Sequence, residues 1–118
     1  MKKNREKGLL GENIAINYLK SKGYIVIDRN YRTKIGEIDI IAIKSNYLVF
    51  IEVKTRSSTN YGYPYEFVNM KKQERIIKSS YIYMNQKDLL DFQPRYDIIE
   101  VILQKKAKIN HIENAFCI

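Results

Sequence analysis

The sequence is poor in the residues that build disulfide frameworks, zinc sites and flexible linkers. It contains one cysteine, Cys117, one histidine, His111, and no tryptophan. A single cysteine cannot form an internal disulfide, so we expect a reducing compartment. One cysteine and one histidine cannot form a four-ligand zinc site unless carboxylates also bind the metal. Five glycines and two prolines leave little material for linkers. We therefore expect the 118 residues to form one domain, 1–118.

Long apolar runs are also missing. The longest, around Ile38–Ile43 and Tyr47–Val53, are interrupted by charged residues, whereas a membrane-spanning helix needs about 20 apolar residues. The basic segment Met1–Lys7 is not followed by an apolar stretch, so we expect no signal peptide. These features predict a cytoplasmic protein without a membrane segment.

Acidic residues are outnumbered by basic ones. The chain has 21 Lys and Arg against 13 Asp and Glu, which gives a net charge of +8 at pH 7. Such an excess favours a polyanionic partner, most simply nucleic acid. The alternative is a lysine-rich composition without a binding role.

Hydrophobic periodicity predicts the order α-β-β-β-α-β-β, an α/β fold with a mixed sheet and helices packed on it. One helix is expected from about Lys7 to Lys22, ended by Gly23, and a second over Asn69–Met84. The predicted strands are Tyr24–Asp28, Glu37–Ile43, Tyr47–Val53, Tyr96–Leu103 and an edge strand over Lys108–Ile112. In the first helix, Gly8, Gly11 and Ala15 form a row of small residues that would let it lie close to the sheet.

The two strands joined by Lys44-Ser45-Asn46 carry the candidate chemistry. If the turn centres on Ser45-Asn46, Asp39 lies directly across from Glu52 and Glu37 lies across from Lys54. Two opposed carboxylates repel each other, and three arrangements could offset this: a raised pKa, the nearby ammonium of Lys54, or a divalent cation with oxygen ligands. The alternative is a set of solvent-facing charges, with Glu37 and Lys54 as an ion pair.

The chain resembles a known family at these residues and elsewhere. Asp39 with Glu52-Val53-Lys54 resembles the PD-(D/E)XK signature of the restriction-endonuclease-like superfamily. A wider set of motifs resembles the bacterial YraN family, which is related to archaeal Holliday junction resolvases. These motifs are Gly8-x-x-Gly11-Glu12-x-x-Ala15-x-x-Tyr18-Leu19, Asn30-Tyr31-Arg32, Gly36-Glu37-Ile38-Asp39, Phe50-Ile51-Glu52-Val53-Lys54-Thr55-Arg56 and Arg95-Tyr96-Asp97.

The resemblance implies a restriction-endonuclease-like sandwich, in which helices flank a central mixed sheet, and a metal-dependent nuclease of DNA, selective for branched structures. Asp39 and Glu52 would hold Mg²⁺ or Mn²⁺, Lys54 would be the catalytic lysine, and Glu12 would supply a further carboxylate. Because resolvase-like relatives act as two-fold dimers, it also implies a homodimer. The alternative function is a non-catalytic nucleic-acid-binding module that retains the fold.

Several residues could contact the nucleic acid. Arg32, Lys34, Arg56 and Lys72 are candidates for phosphate contacts, although each could be an ordinary surface charge. The aromatic residues Tyr61, Tyr63, Tyr65 and Phe67 alternate in one loop. They could belong to the core, form a protein interface, or stack on unpaired bases. We interpret His111, Cys117 and the pair Arg95 and Asp97 as structural.

Overall fold

A computed structural model of the chain describes residues 2–57 and 68–117, with side chains from residue 5 onward. The predicted order of elements is confirmed as α1 (Lys2–Ser21), β1 (Ile25–Arg32), β2 (Glu37–Lys44), β3 (Tyr47–Arg56), α2 (Met70–Gln86), β4 (Gln93–Ile102) and β5 (Lys108–Phe116). The strands form one mixed sheet in the order β1-β2-β3-β4-β5. Strands β3 and β4 are parallel, and the other neighbours pair antiparallel. The predicted α/β class is therefore confirmed.

The sheet is covered by one helix on each face. Alternate side chains of a strand point to opposite faces, so the apolar strands β2, β3 and β4 can contribute side chains to two separate cores, one on each face of the sheet. One core joins Ala15 and Leu19 of α1 to the sheet, and the other joins Ile76 and Met84 of α2 to it. This layering places the N-terminal halves of both helices beside the same end of the β2–β3 hairpin.

Helix α1 ends as predicted and begins earlier than predicted. It starts at Lys2 rather than near Lys7. At the other end Gly23 has a φ of 87°, a conformation in which glycine carries no side-chain penalty. The backbone N–H of Tyr24 then donates to the carbonyl of Leu19 at 3.0 Å, which closes the helix in a Schellman arrangement.

The hairpin between β2 and β3 has the predicted register. Ser45 adopts a φ of 53° in the turn. Ile40 pairs with Ile51 and Lys44 with Tyr47, which is the alignment that a turn centred on Ser45-Asn46 gives. The register therefore carries Asp39 and Glu52 toward each other at the open end of the hairpin.

Element boundaries elsewhere differ by a few residues from the prediction. Strand β1 extends to Arg32 and β5 to Phe116, and β4 begins at Gln93 rather than at Tyr96. The aromatic residues Tyr61, Tyr63, Tyr65 and Phe67 lie outside the described residues. Neither α1 nor α2, the helices of the described ranges, has the length of apolar sequence required to cross a bilayer.

Candidate active site at the open end of the hairpin

Asp39 is held where strands β2 and β3 separate. Their ladder ends with the pair Ile40 and Ile51. One step further, the backbone N–H of Val53 donates to Oδ2 of Asp39 at 2.8 Å. The carboxylate thus replaces a main-chain acceptor, and this bond fixes the side chain against β3.

Asp39 and Glu52 form a partly buried carboxyl pair. The Glu52 side chain is 11% exposed. Burial raises the pKa of Asp39 to about 8, helped by a hydrogen bond with the Glu52 carboxyl and by repulsion from its charge. The Val53 N–H and the Lys72 ammonium act in the opposite direction on this pKa. The pair therefore keeps a proton near neutral pH when no cation is present.

Glu12 approaches this pair from α1. A Cβ added to the preceding Gly11 would lie 1.8 Å from Oγ1 of Thr55, so only a glycine lets the helix come this close to β3. Burial raises the pKa of Glu12, and the charge of Asp39 raises it further. Arg29 opposes the shift through an ion pair to Glu12 with a nitrogen–oxygen distance of 3.4 Å. Glu12 thus interacts electrostatically with Asp39 of the pair, and Arg29 is its counter-ion.

All four residues predicted to be catalytic border one cleft. Lys54 is exposed at its rim. The cleft has a volume of about 380 Å³ and is lined by Lys7, Gly8, Glu12, Asp39, Glu52, Val53, Lys54 and Thr55. A second cleft of about 640 Å³ adjoins it and shares Gly8, Glu12 and Asp39 with it. The structure therefore brings together Glu12, Asp39, Glu52 and Lys54.

The carboxyl pair suits a hard divalent cation. Mg²⁺ is commonly held by one or two carboxylates, with waters and substrate oxygens completing the shell. Asp39 and Glu52 supply two such groups in contact. Within the described residues no three acidic, histidine or cysteine side chains lie close enough to bind one metal ion together. Glu12 is accordingly outside a first ligand set made of Asp39 and Glu52.

Three of the four predicted phosphate contacts, Arg32, Lys34 and Lys72, lie on the surface. Arg32 lines the larger cleft, and its side chain is 79% exposed. Its Nε lies 3.4 Å from Glu37, the partner that the alternative reading had given to Lys54. Lys34 is exposed in the turn after β1. Lys72 reaches Glu52 from α2, with 3.4 Å between Nζ and Oε2.

Arg56 lies differently from the prediction. Its side chain is only 11% exposed and forms an ion pair with Glu100, which is fully buried. A guanidinium enclosed in this way anchors β3 to β4 and is withdrawn from a nucleic acid on the surface. We therefore assign it no phosphate contact below.

Sequence reasoning missed two residues that border the clefts, Arg5 and Lys7. Arg5, Gly8 and Glu12 are three and four residues apart, the spacing at which side chains share one face of a helix. Extending the predicted helix toward its true start would have placed Arg5 on the face of Glu12.

The interpretation of Arg95, Asp97 and His111 as structural residues fits their contacts. Asp97 is fully buried and accepts hydrogen bonds from Arg95 and from the backbone N–H of Asn114. His111 Nε2 lies 2.7 Å from the same carboxylate. Burial alone would raise the pKa of Asp97, but these partners outweigh it and hold the pKa below its usual value. This network ties β5 to β4.

Comparison with known proteins gives one consistent result. A family model described as "Uncharacterised protein family UPF0102" matches residues 11–101. A UPF0102 protein of Alkaliphilus oremlandii is 52% identical, with 96% of this chain and 99% of that protein aligned. Those of Caldanaerobacter subterraneus and Clostridioides difficile are 48% and 50% identical, with 98% and 96% of this chain and 100% and 98% of the relatives aligned. The chain therefore belongs to the UPF0102 family.

Proposed function

We propose that this protein is a Mg²⁺- or Mn²⁺-dependent phosphodiester hydrolase that acts on nucleic acid, with branched DNA as the first candidate substrate. The observation that carries the proposal is the contact between the Asp39 and Glu52 carboxyls in a cleft that Glu12 and Lys54 also line. Two acids placed together at the end of a hairpin are unfavourable for folding when both are ionised. A divalent cation between them would turn that repulsion into binding.

The residues of the cleft suit the chemistry of phosphodiester cleavage. When bound by Asp39 and Glu52, the cation would polarise the phosphate and lower the pKa of a water molecule. The Lys54 ammonium, at the rim of the same cleft, would hold the attacking water and stabilise negative charge that develops on the phosphate.

The bond changes balance without a further reactant. The water oxygen forms a bond to phosphorus while the bond from phosphorus to the leaving sugar oxygen breaks. One proton leaves the attacking water, and one reaches the sugar oxygen. The products are a phosphate monoester and a free hydroxyl.

Basic side chains flank the carboxyl pair on two sides. Arg5 and Arg32 line the larger cleft beside Asp39. On the other side Lys71, Lys72 and Arg75 line a cleft of about 320 Å³ at the start of α2. With a net charge of +8, this distribution favours a polyanion lying across the pair.

Two further features belong to the same proposal. Symmetric cleavage of two strands requires two active sites, so we propose a two-fold homodimer. The exposed free thiol of Cys117 suits a reducing compartment, so we propose a cytoplasmic location.

The test is cleavage of a labelled panel by the purified chain with Mg²⁺ and with Mn²⁺. The panel contains single-stranded, duplex, flap and four-way-junction DNA and a structured RNA. We expect Asp39→Asn and Lys54→Met each to lower cleavage of the preferred substrate by at least about 100-fold, because each removes one element of charge stabilisation. Asp91→Asn and Lys87→Met make the same chemical changes at exposed positions and should retain the activity.

The same experiment decides between the proposal and a non-catalytic binding module. That second candidate is favoured by the ion pair between Lys72 and Glu52, which gives one acid a partner without any metal. Binding of the panel without cleavage under either metal would support the module. Cleavage that survives in Asp39→Asn would contradict the assigned site.

A further inference from the structure

Lys72 contacts the carboxyl pair from a different element of the fold. Its Nζ lies 3.4 Å from Oε2 of Glu52, and its charge also acts on Asp39. Glu52 is 11% exposed, whereas the Lys72 side chain is 47% exposed. The acid is therefore enclosed at the sheet, while the ammonium reaches it from the exposed side.

The position of Lys72 in α2 is unfavourable for helix stability. The first turn contains Lys71 and Lys72 and no acidic residue, although the positive end of the helix dipole favours acids there. The side-chain oxygen of Asn69 accepts a hydrogen bond from the backbone N–H of Lys72 at 2.9 Å, which caps the helix and fixes the backbone position of this lysine. Lys72 is therefore a cation at a position where the helix dipole favours an acid, and its ammonium faces Glu52. This placement indicates that the side chain acts on Glu52 rather than on the stability of α2.

We propose that Lys72 is the counter-ion of Glu52 in the metal-free protein, that it competes with the divalent cation for this carboxylate, and that it contacts a substrate phosphate once the cation displaces it. This inference rests on the proposed function, because it assumes that Asp39 and Glu52 bind a metal. It adds a positioning role for a residue of α2 in the assembly of the site.

The proposal gives Lys72 opposite effects on two ligands. Removing its charge takes away both a competitor and a source of repulsion for the cation, so metal binding becomes tighter. It also removes a phosphate contact, so nucleic-acid binding becomes weaker. A lysine that only stabilises the helix surface would alter neither affinity.

The experiment is a calorimetric titration of the full chain with MnCl₂, without nucleic acid. We expect Lys72→Met to bind Mn²⁺ about three- to tenfold more tightly than the parent, the range expected when one partly exposed charge near the ion is lost. Lys72→Arg keeps the charge and should resemble the parent. Lys71→Met, one residue away on the same turn, should stay within about twofold of the parent.

The second readout is the binding of a labelled DNA oligonucleotide at saturating MnCl₂, in proteins that also carry Lys54→Met to suppress cleavage, measured over a range of salt concentrations. Lys87→Met, which is exposed at the opposite end of α2, serves as the control. For Lys72→Met we expect weaker binding and a salt dependence that falls by about one counter-ion relative to that control.

Three outcomes are decisive: two would overturn this inference alone, and one would overturn the proposed function with it. If the parent binds Mn²⁺ and Lys72→Met binds it with unchanged or lower affinity, the competition is wrong while the metal site stands. An equal gain in affinity for Lys71→Met would also overturn it, because the effect would then be one of general charge. If the parent does not bind Mn²⁺ at all, the proposed function fails and the inference fails with it.

Discussion

Replacing Asp39 by asparagine is expected to stabilise the metal-free protein at alkaline pH while it removes the affinity for Mg²⁺ and Mn²⁺. The amide keeps both contacts of the carboxyl group: its oxygen accepts the N–H of Val53, and its NH₂ group donates to Glu52. It carries no charge, so the repulsion within the pair disappears. It also removes one of the two anionic ligands that the proposed cation requires.

The pH dependence follows from the direction of the pKa shift. The pKa of Asp39 is about 8 in the folded protein against 3.8 for the free side chain. Between these values the folded state holds a proton that the unfolded state has lost, so the parent loses stability as pH rises. Asparagine does not titrate. Its advantage should therefore grow with pH, by on the order of 4 kcal/mol between pH 5 and pH 9, since one pKa unit corresponds to about 1.4 kcal/mol.

Urea unfolding in the presence of a chelator, at pH 5 and at pH 9, measures this difference. Asp91→Asn, an exposed position between α2 and β4, should follow the parent at both pH values. If Asp39→Asn is less stable than the parent at pH 9, the two carboxyls do not share a proton in the way described. A gain of the same size at both pH values would point to a cause other than ionisation.

A second large effect is expected for Gly11→Ala. The new Cβ would lie 1.8 Å from Oγ1 and 2.8 Å from Cβ of Thr55. Because the Cβ of Thr55 is attached directly to the backbone of β3, the helix and the strand must move apart. Overpacking of this kind typically costs about 1–3 kcal/mol, more than the roughly 1 kcal/mol that alanine gains over glycine in a helix.

Gly8→Ala is the matched control, because the same substitution is made one turn earlier in α1. A Cβ at Gly8 meets no atom within 4 Å, so this variant should gain up to about 1 kcal/mol from helix propensity. Thr55→Gly should partly rescue Gly11→Ala, since it removes all three contacting atoms. Thermal unfolding of Gly8→Ala, Gly11→Ala, Thr55→Gly and the double variant of the last two measures these effects. Equal stability of Gly8→Ala and Gly11→Ala would show that α1 does not lie as close to β3 as described.

The hairpin register and the helix stop were readable from sequence because each depends on local chemistry. Ser45-Asn46 sets the alignment of its two strands, and one step beyond the last pair, Ile40 and Ile51, that alignment brings Asp39 beside Glu52. Gly23 ends α1 through a backbone conformation that few other residues adopt. The row of small residues also predicted that α1 lies close to the sheet, and the structure shows this close approach at Gly11, next to Thr55 of β3. Gly8, the first member of that row, instead faces open space.

Ion pairs between elements distant in sequence could not be predicted. The burial of Arg56 depends on Glu100, which the parallel pairing of β3 and β4 brings beside it. The approach of Lys72 to Glu52 depends on how α2 packs on the sheet. By contrast, Glu37 and Arg32 are cross-strand partners of the consecutive strands β1 and β2, and their pairing was missed because the predicted strand stopped at Asp28. No local pattern specifies which charge will be the partner when several elements converge.

The central claim is that Asp39 and Glu52 together bind one divalent cation, and calorimetry tests it most directly. Mn²⁺ is titrated into the parent at pH 7 in two buffers whose ionisation enthalpies differ, so the heat reports proton release. Because the pKa of Asp39 is about 8, we predict about one ion bound per chain with the release of nearly one proton, and no binding to Asp39→Asn. The absence of Mn²⁺ binding to the parent, or equal binding to Asp39→Asn, would contradict the claim.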